Sequence, residues 1–125
     1  MSCRGSEGLV AISLILATED PEALRYACLG CSAIASDHQW RAALLQGGSE
    51  ASRLLEGVVR ALSSGDTQSV RYAAATMRHL SSEGGGGKWF PEGAREGLAR
   101  LVDCADSSTA RYAQAALRSM SECAI

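Results

Sequence analysis

Cys28 and Cys31 are the first residues in this 125-residue chain whose types and spacing could carry chemistry. Their C-x-x-C spacing could begin a zinc site or form a redox couple. A structural zinc ion needs four ligands, usually with a second pair, but the sequence has none, and His38 is the nearest further candidate. The helical pattern described below instead places Cys31 at an apolar core position, a common role for a free thiol. We therefore predict no metal site and no cofactor.

Catalytic patterns are equally weak elsewhere in the chain. The glycine-rich run 84–88 is similar to a phosphate-binding loop, but Trp89 follows the lysine where such loops need Ser or Thr. Neither His38 nor His79 lies in a motif that would pair a nucleophile with a base. We predict that the protein is not an enzyme.

Three arginines form the most informative constellation. Arg25, Arg71 and Arg111 each begin an Arg-Tyr-Ala tripeptide, and the copies stand 46 and then 40 residues apart. An aspartate precedes each arginine by five positions, at Asp20, Asp66 and Asp106. An aspartate before a helix can accept hydrogen bonds from the free backbone N–H groups of the first turn. These aspartates are therefore predicted to be N-caps.

The elements that would position these residues are helices. After each aspartate, apolar residues recur at helical spacing for about four turns and end near a serine, around residues 36, 82 and 121. A second apolar stretch precedes each aspartate, at residues 9–16, 54–62 and 98–102. In the middle unit a shorter segment, residues 38–46, is closed by Gly47-Gly48. Each unit is thus predicted to be at least a helix pair, and the middle one to have three helices.

With this period and this order of helices, the chain resembles the armadillo repeat family. The best match runs from Asp37 through the glycine turn at 47–48 to Leu80. The resemblance implies an all-α fold: one domain over residues 1–125, a right-handed α-solenoid of about three units at 6–36, 37–82 and 83–123. The first unit would be partial. The third would have a modified first helix, because residues 83–91 contain four glycines and Pro91. HEAT repeats remain a structural alternative.

In the family that the chain resembles, the third helix of each unit lines a concave groove that binds a partner segment. The resemblance implies that Arg25, Arg71, His79 and Arg111 line this groove, with Tyr26, Tyr72 and Tyr112 as candidate groove aromatics. Importin-alpha-like members use a Trp and an Asn on this helix. Leu29, Ala75 and Ala115 stand at the Trp positions here, so the nuclear-signal-binding pattern is missing.

Two interpretations of the arginines remain open. They could bind acidic or carboxylate-bearing segments of a partner through charge-assisted contacts. Alternatively, they are good helix formers on a solvated face. The tyrosines likewise could be groove anchors, or could wedge between helices with the hydroxyl reaching solvent.

The sequence thus predicts a protein–protein interaction scaffold that binds a protein or peptide partner along a helical groove. The alternative is a structural fragment of a longer solenoid that self-associates end to end, because neither end has an obvious polar cap. The formal charge of -2 disfavours nucleic acid as a partner. The apolar run 9–17 is too short to span a membrane, and Glu7 disfavours a signal peptide. Five cysteines without a framework spacing favour a reducing compartment, the cytoplasm or the nucleus.

Overall fold

The computed structural model describes Leu16 and residues 20–37, 39–41, 49–82 and 93–123. Within these residues there are five named helices and no strand: α1 (Pro21–Ala35), α2 (Ser49–Ala61), α3 (Thr67–Ser81), α4 (Ala94–Ala99) and α5 (Ser107–Cys123). This confirms the prediction of an all-α fold. Most of the apolar run 9–17, most of segment 38–46 and the glycine-rich segment 83–91 lie outside the described residues.

The predicted aspartate caps begin the three long helices. Asp20 accepts a hydrogen bond from the backbone N–H of Glu22 at 3.3 Å, before α1. Asp66 accepts from the backbone N–H of Ser69 at 3.0 Å, and Asp106 does the same with Thr109 at 3.0 Å. A side-chain acceptor at this position satisfies a donor that has no partner inside the helix. The positions of the three aspartates therefore correctly predicted where α1, α3 and α5 begin.

The helix ends agree less uniformly with the prediction. Ser36 and Ser82 are the C-caps of α1 and α3, as the serine positions indicated. The last helix, α5, continues to Cys123, slightly beyond the predicted end. The apolar stretch 98–102 is not one helix, because α4 spans Ala94–Ala99 and turns follow it. Before α4, Gly93 has a φ of 91°, a left-handed conformation that glycine adopts without steric cost.

The long helices lie side by side, with α3 between α1 and α5. The shorter helix α2 packs against α3 and α1, and α4 packs against α5. Small residues make close packing between the long helices achievable, since Cys28, Ala73 and Ala113 are fully buried. Larger side chains fill the centre, and the fully buried ones include Met77 and Leu80. The core thus runs continuously along the row of helices.

Cys28 and Cys31 belong to this core. Burial raises the pKa of each thiol to about 12. The thiolate, which is the form that binds metals and attacks disulfides, is therefore disfavoured at neutral pH. The position of Cys31 agrees with its predicted place in the core, and in the described part of the chain no group of three or more His, Cys, Asp or Glu could hold a metal ion.

A glycine in each of the shorter helices α2 and α4 lies close to a leucine that precedes the capping aspartate of the unit before it. A Cβ atom added to Gly57 would lie 2.9 Å from Cβ of Leu16, and one added to Gly97 would lie 3.1 Å from Cδ1 of Leu62. Both glycines stand nine positions before a capping aspartate, and both leucines four positions before one. The same close contact therefore recurs at two successive junctions between units.

Candidate functional site

The arginines of the first two Arg-Tyr-Ala tripeptides bind aspartates of the following unit. Arg25 donates from Nε to Asp66 at 3.2 Å and from Nη2 at 2.9 Å. Arg71 donates to Asp106 in the same way, at 3.0 and 2.8 Å. Each pair is bidentate, a geometry that the planar guanidinium group favours. Both arginines therefore join one long helix to the start of the next.

Each of these aspartates has two roles at once. Besides its arginine, Asp66 binds the backbone N–H and the hydroxyl of Ser69, and Asp106 binds the same two groups of Thr109. The hydrogen bonds from arginine, and then those from Ser69 or Thr109, hold the pKa of each carboxyl well below its usual value. Ser69 and Thr109 are buried. The aspartates are thus ionised at neutral pH and fixed in position.

Neither interpretation drawn from the sequence contains this contact. The groove hypothesis and the solvated-face alternative both treated the arginines apart from the aspartates, which were assigned to capping alone. The signal was nevertheless present, because the two opposite charges recur with a common period. That period places the arginine of one unit within reach of the aspartate of the next, 41 residues on for Arg25 and 35 for Arg71.

The third arginine differs from the other two. Arg111 is exposed, and among the described residues it has no carboxylate partner. Arg78 and Arg118, which occupy equivalent positions in α3 and α5, are exposed as well. Three exposed arginines therefore lie on α3 and α5, in a chain whose formal charge is -2.

His79, the remaining polar candidate, is half-buried on α3. Burial, and then the positive charges of Arg78 and Arg41, lower its pKa. The imidazole is therefore mainly neutral at pH 7, when it can donate and accept one hydrogen bond each. Arg41 donates to the carbonyl oxygens of Ala35 and Ser36, which ties the helical residues 39–41 to the end of α1.

The tyrosines occupy two kinds of environment. Tyr72 and Tyr112 are half-buried and pack against the core, and Cζ of Arg78 lies 5.9 Å from the centroid of the Tyr112 ring. Tyr26 is 64% exposed. Leu29, three residues further along α1, is 42% exposed, and residues at this spacing share one helix face. The apolar surface near the arginines is thus concentrated on α1.

Comparison with known proteins identifies the architecture. No family model and no curated protein matches the sequence. Among solved structures, a designed armadillo repeat protein is similar with a TM-score of 0.75 and 23% identity, over 89% of this chain and 46% of that one. The chain has an armadillo-like repeat fold.

A second solved structure with this similarity is an engineered protein from a structural genomics consortium. Its TM-score is 0.54 and its identity 22%, over 93% of this chain and 63% of that one. The armadillo-like chain therefore spans less than two thirds of either protein, and these similarities bear on the fold alone. The part of the chain that the structure describes contains no helix long and apolar enough to cross a membrane.

Proposed function

We propose that this armadillo-like chain is a non-enzymatic scaffold that binds an extended segment of a partner protein. The binding surface would be the arginine face, formed by α1, α3 and α5 and defined by Arg25, Arg71, Arg111, His79, Tyr26, Tyr72 and Tyr112. The observation that carries the proposal is the exposed pair Tyr26 and Leu29 beside this row of arginines. Apolar side chains grouped next to charged ones are typical of interaction surfaces.

The charges give the bound segment a direction. Asp66 and Asp106 neutralise Arg25 and Arg71, whereas Arg111 has no carboxylate partner among the described residues. An acidic group of the partner would therefore be attracted most strongly to α5, and an apolar group to Tyr26 on α1. Helix axes about 10 Å apart make this span about 20 Å, which an extended segment of about six residues covers.

Free thiols in the described residues suit a reducing compartment, so we assign the protein to the cytoplasm or the nucleus. The proposal requires no cofactor, no nucleic acid and no membrane. It extends the groove hypothesis drawn from the sequence by giving the bound segment a direction, with its apolar end at α1 and its acidic end at α5.

The test is the binding of two fluorescent peptides of about eight residues, followed by anisotropy. One peptide has apolar residues at one end and acidic residues at the other, and the second contains the same residues scrambled. We expect the ordered peptide to bind more tightly. The substitution Arg111→Glu should weaken binding of the ordered peptide by about tenfold or more, because it reverses the charge that would contact the acidic end of this peptide.

A matched control is Arg95→Glu, the same charge reversal at an exposed arginine of α4, outside the arginine face. Its affinity for the ordered peptide should equal that of the unmodified chain. Equal binding of the two peptides would contradict the proposed direction, and an equal effect of both substitutions would show that the attraction is non-specific.

A further inference from the structure

Arg25 and Arg71 keep unused hydrogen-bond donors after they have bound their aspartates. A guanidinium group has five N–H donors. In the described residues, the hydrogen bonds of each arginine use one N–H of Nε and one of Nη2, and both are directed at the aspartate. The two side chains are 37% and 35% exposed, so they are still within reach of a ligand. Each arginine therefore offers three further donors, including both on Nη1.

The paired aspartates determine which acceptor suits these donors. Asp66 and Asp106 lie 2.9 and 2.8 Å from the guanidinium groups that they bind. A second carboxylate at the same guanidinium would be repelled by the first. A backbone carbonyl oxygen has no net charge, avoids this repulsion and occurs in every residue of a peptide. The remaining donors of Arg25 and Arg71 therefore fit the backbone carbonyl oxygens of a bound segment.

The spacing of the two arginines follows the spacing of the helices. Arg25 on α1 and Arg71 on α3 occupy equivalent positions, and each makes the same contact with the aspartate that caps the next long helix. The helices α1 and α3 pack directly against each other. The axes of packed helices lie about 8–10 Å apart. The unused donors should therefore recur at about this interval along the arginine face.

Of the two common extended conformations, polyproline II has a matching repeat. In a β-strand, carbonyl oxygens on one side recur at every second residue, which is about 7 Å. In polyproline II they recur at every third residue, which is about 9 Å. This conformation has no internal hydrogen bonds, so all of its carbonyl oxygens are available to a partner. A polyproline II segment can thus present one carbonyl oxygen to each of the two arginines.

The aromatic residues of the arginine face favour the same ligand. Tyr26 and Tyr72 directly follow the two arginines; Tyr26 is exposed and Tyr72 is half-buried. Leu29 adds exposed apolar surface on α1. Proline-rich segments dock in grooves that aromatic side chains line, and their preformed conformation lowers the entropy lost on binding. Donors for carbonyl oxygens and aromatic rings therefore recur together in successive units.

We infer that the segment bound on the arginine face is proline-rich and adopts the polyproline II conformation, with three residues for each armadillo-like unit. This inference rests on the proposed function and adds the conformation and composition of the ligand. Arg25 and Arg71 donate to carbonyl oxygens three residues apart, and the pyrrolidine rings contact Tyr26 and Tyr72. Because only carbonyl oxygens of the backbone are bound, the missing N–H of proline costs no hydrogen bond.

The test compares two versions of the ordered peptide by fluorescence anisotropy. They differ only at two central positions three residues apart, which are proline in one version and valine, a residue that favours β-strands, in the other. We expect the proline peptide to bind about fivefold more tightly or better, because less conformational freedom is lost. Equal binding, or tighter binding of the valine peptide, would overturn the inference.

A scrambled version of each peptide separates this inference from the proposed function. If both ordered peptides bind more tightly than their scrambled versions but proline gives no gain, the inference fails and the proposed function stands. If neither ordered peptide binds more tightly than its scrambled version, the proposed function itself fails. These comparisons use the unmodified chain, so they do not depend on the folding of a variant.

The contact with arginine is tested by Arg71→Lys. Lysine keeps the positive charge beside Asp106 but has three donors on one atom instead of five in a planar group, so the proline peptide should bind about fivefold more weakly. Circular dichroism must show that the variant is folded, and Arg25→Lys replaces it if it is not. Arg95→Lys, outside the arginine face, is the control and should leave the affinity unchanged. A folded Arg71→Lys chain with unchanged affinity would contradict the inference.

Discussion

The middle helix α3 and the last helix α5 have the same sequence pattern but different surroundings. On α3, Arg71 is paired with Asp106 and Met77 is fully buried. On α5, Arg111 is exposed and Leu117, at the position of Met77, is half-buried. The same tripeptide therefore joins two units on α3, whereas its arginine is exposed on α5. The position of a helix in the stack, as well as its sequence, determines what its residues do.

The largest difference should appear in the core. Met77→Ala removes a fully buried side chain between two helices and should lower the free energy of unfolding by about 2–5 kcal/mol. Leu117→Ala, at the equivalent but half-buried position, should cost less than about 2 kcal/mol. Urea unfolding at one protein concentration measures both. Equal losses would show that α5 is enclosed as fully as α3.

Substitutions at the glycines of α2 and α4 should have an intermediate effect on stability. Gly57→Ala places a methyl group 2.9 Å from Cβ of Leu16, which cannot rotate away, and such overpacking costs about 1–3 kcal/mol. Gly97→Ala meets Cδ1 of Leu62 at 3.1 Å, and this terminal methyl can move. The higher helix propensity of alanine, worth about 1 kcal/mol, should make the second change nearly neutral. Thermal melting would contradict this account if Gly97→Ala lowered the midpoint as much as Gly57→Ala.

The prediction with the smallest effect on stability at neutral pH, and the most specific one, concerns the loss of stability in acid. Since the pKa values of Asp66 and Asp106 are lowered in the folded state, the unfolded chain binds more protons below its ordinary carboxyl pKa of about 3.9. The stability that these pairs contribute is present above that pH and is lost as the pH falls further. Arg71→Gln should therefore make the unfolding free energy fall less steeply below about pH 4.

Arg111→Gln is the matched control for this acid effect, because it removes the same charge from a residue that has no carboxylate partner in the described part of the chain. Its pH dependence should follow that of the unmodified chain. Urea unfolding at a series of pH values gives both slopes. If the two variants behaved alike, the pairing of Arg71 with Asp106 would not be the cause.

The sequence predicted the features of this molecule that depend on near neighbours. Asp20 and Asp66 act on residues two or three positions away, so their capping roles could be inferred without a structure. The pairing of Arg25 with Asp66 could not be inferred in the same way, because the two residues are 41 positions apart and their contact depends on how α1 and α3 are aligned. The exposure of Tyr26 depends likewise on whether another helix covers α1. The predicted position of the short helix α4 was a few residues too late, because the predicted stretch included the apolar residues Leu101 and Val102, which lie in turns.

The shared carboxylates also affect how the units fold. Starting a helix is the costly step in forming it, and Asp66 and Asp106 lower that cost for α3 and α5 while held by the preceding unit. In the one-dimensional description of repeat proteins, this contact adds to the coupling between nearest neighbours rather than to the intrinsic stability of either one. Order in one unit thus promotes order in the next, so the array should melt with higher cooperativity than separate units would.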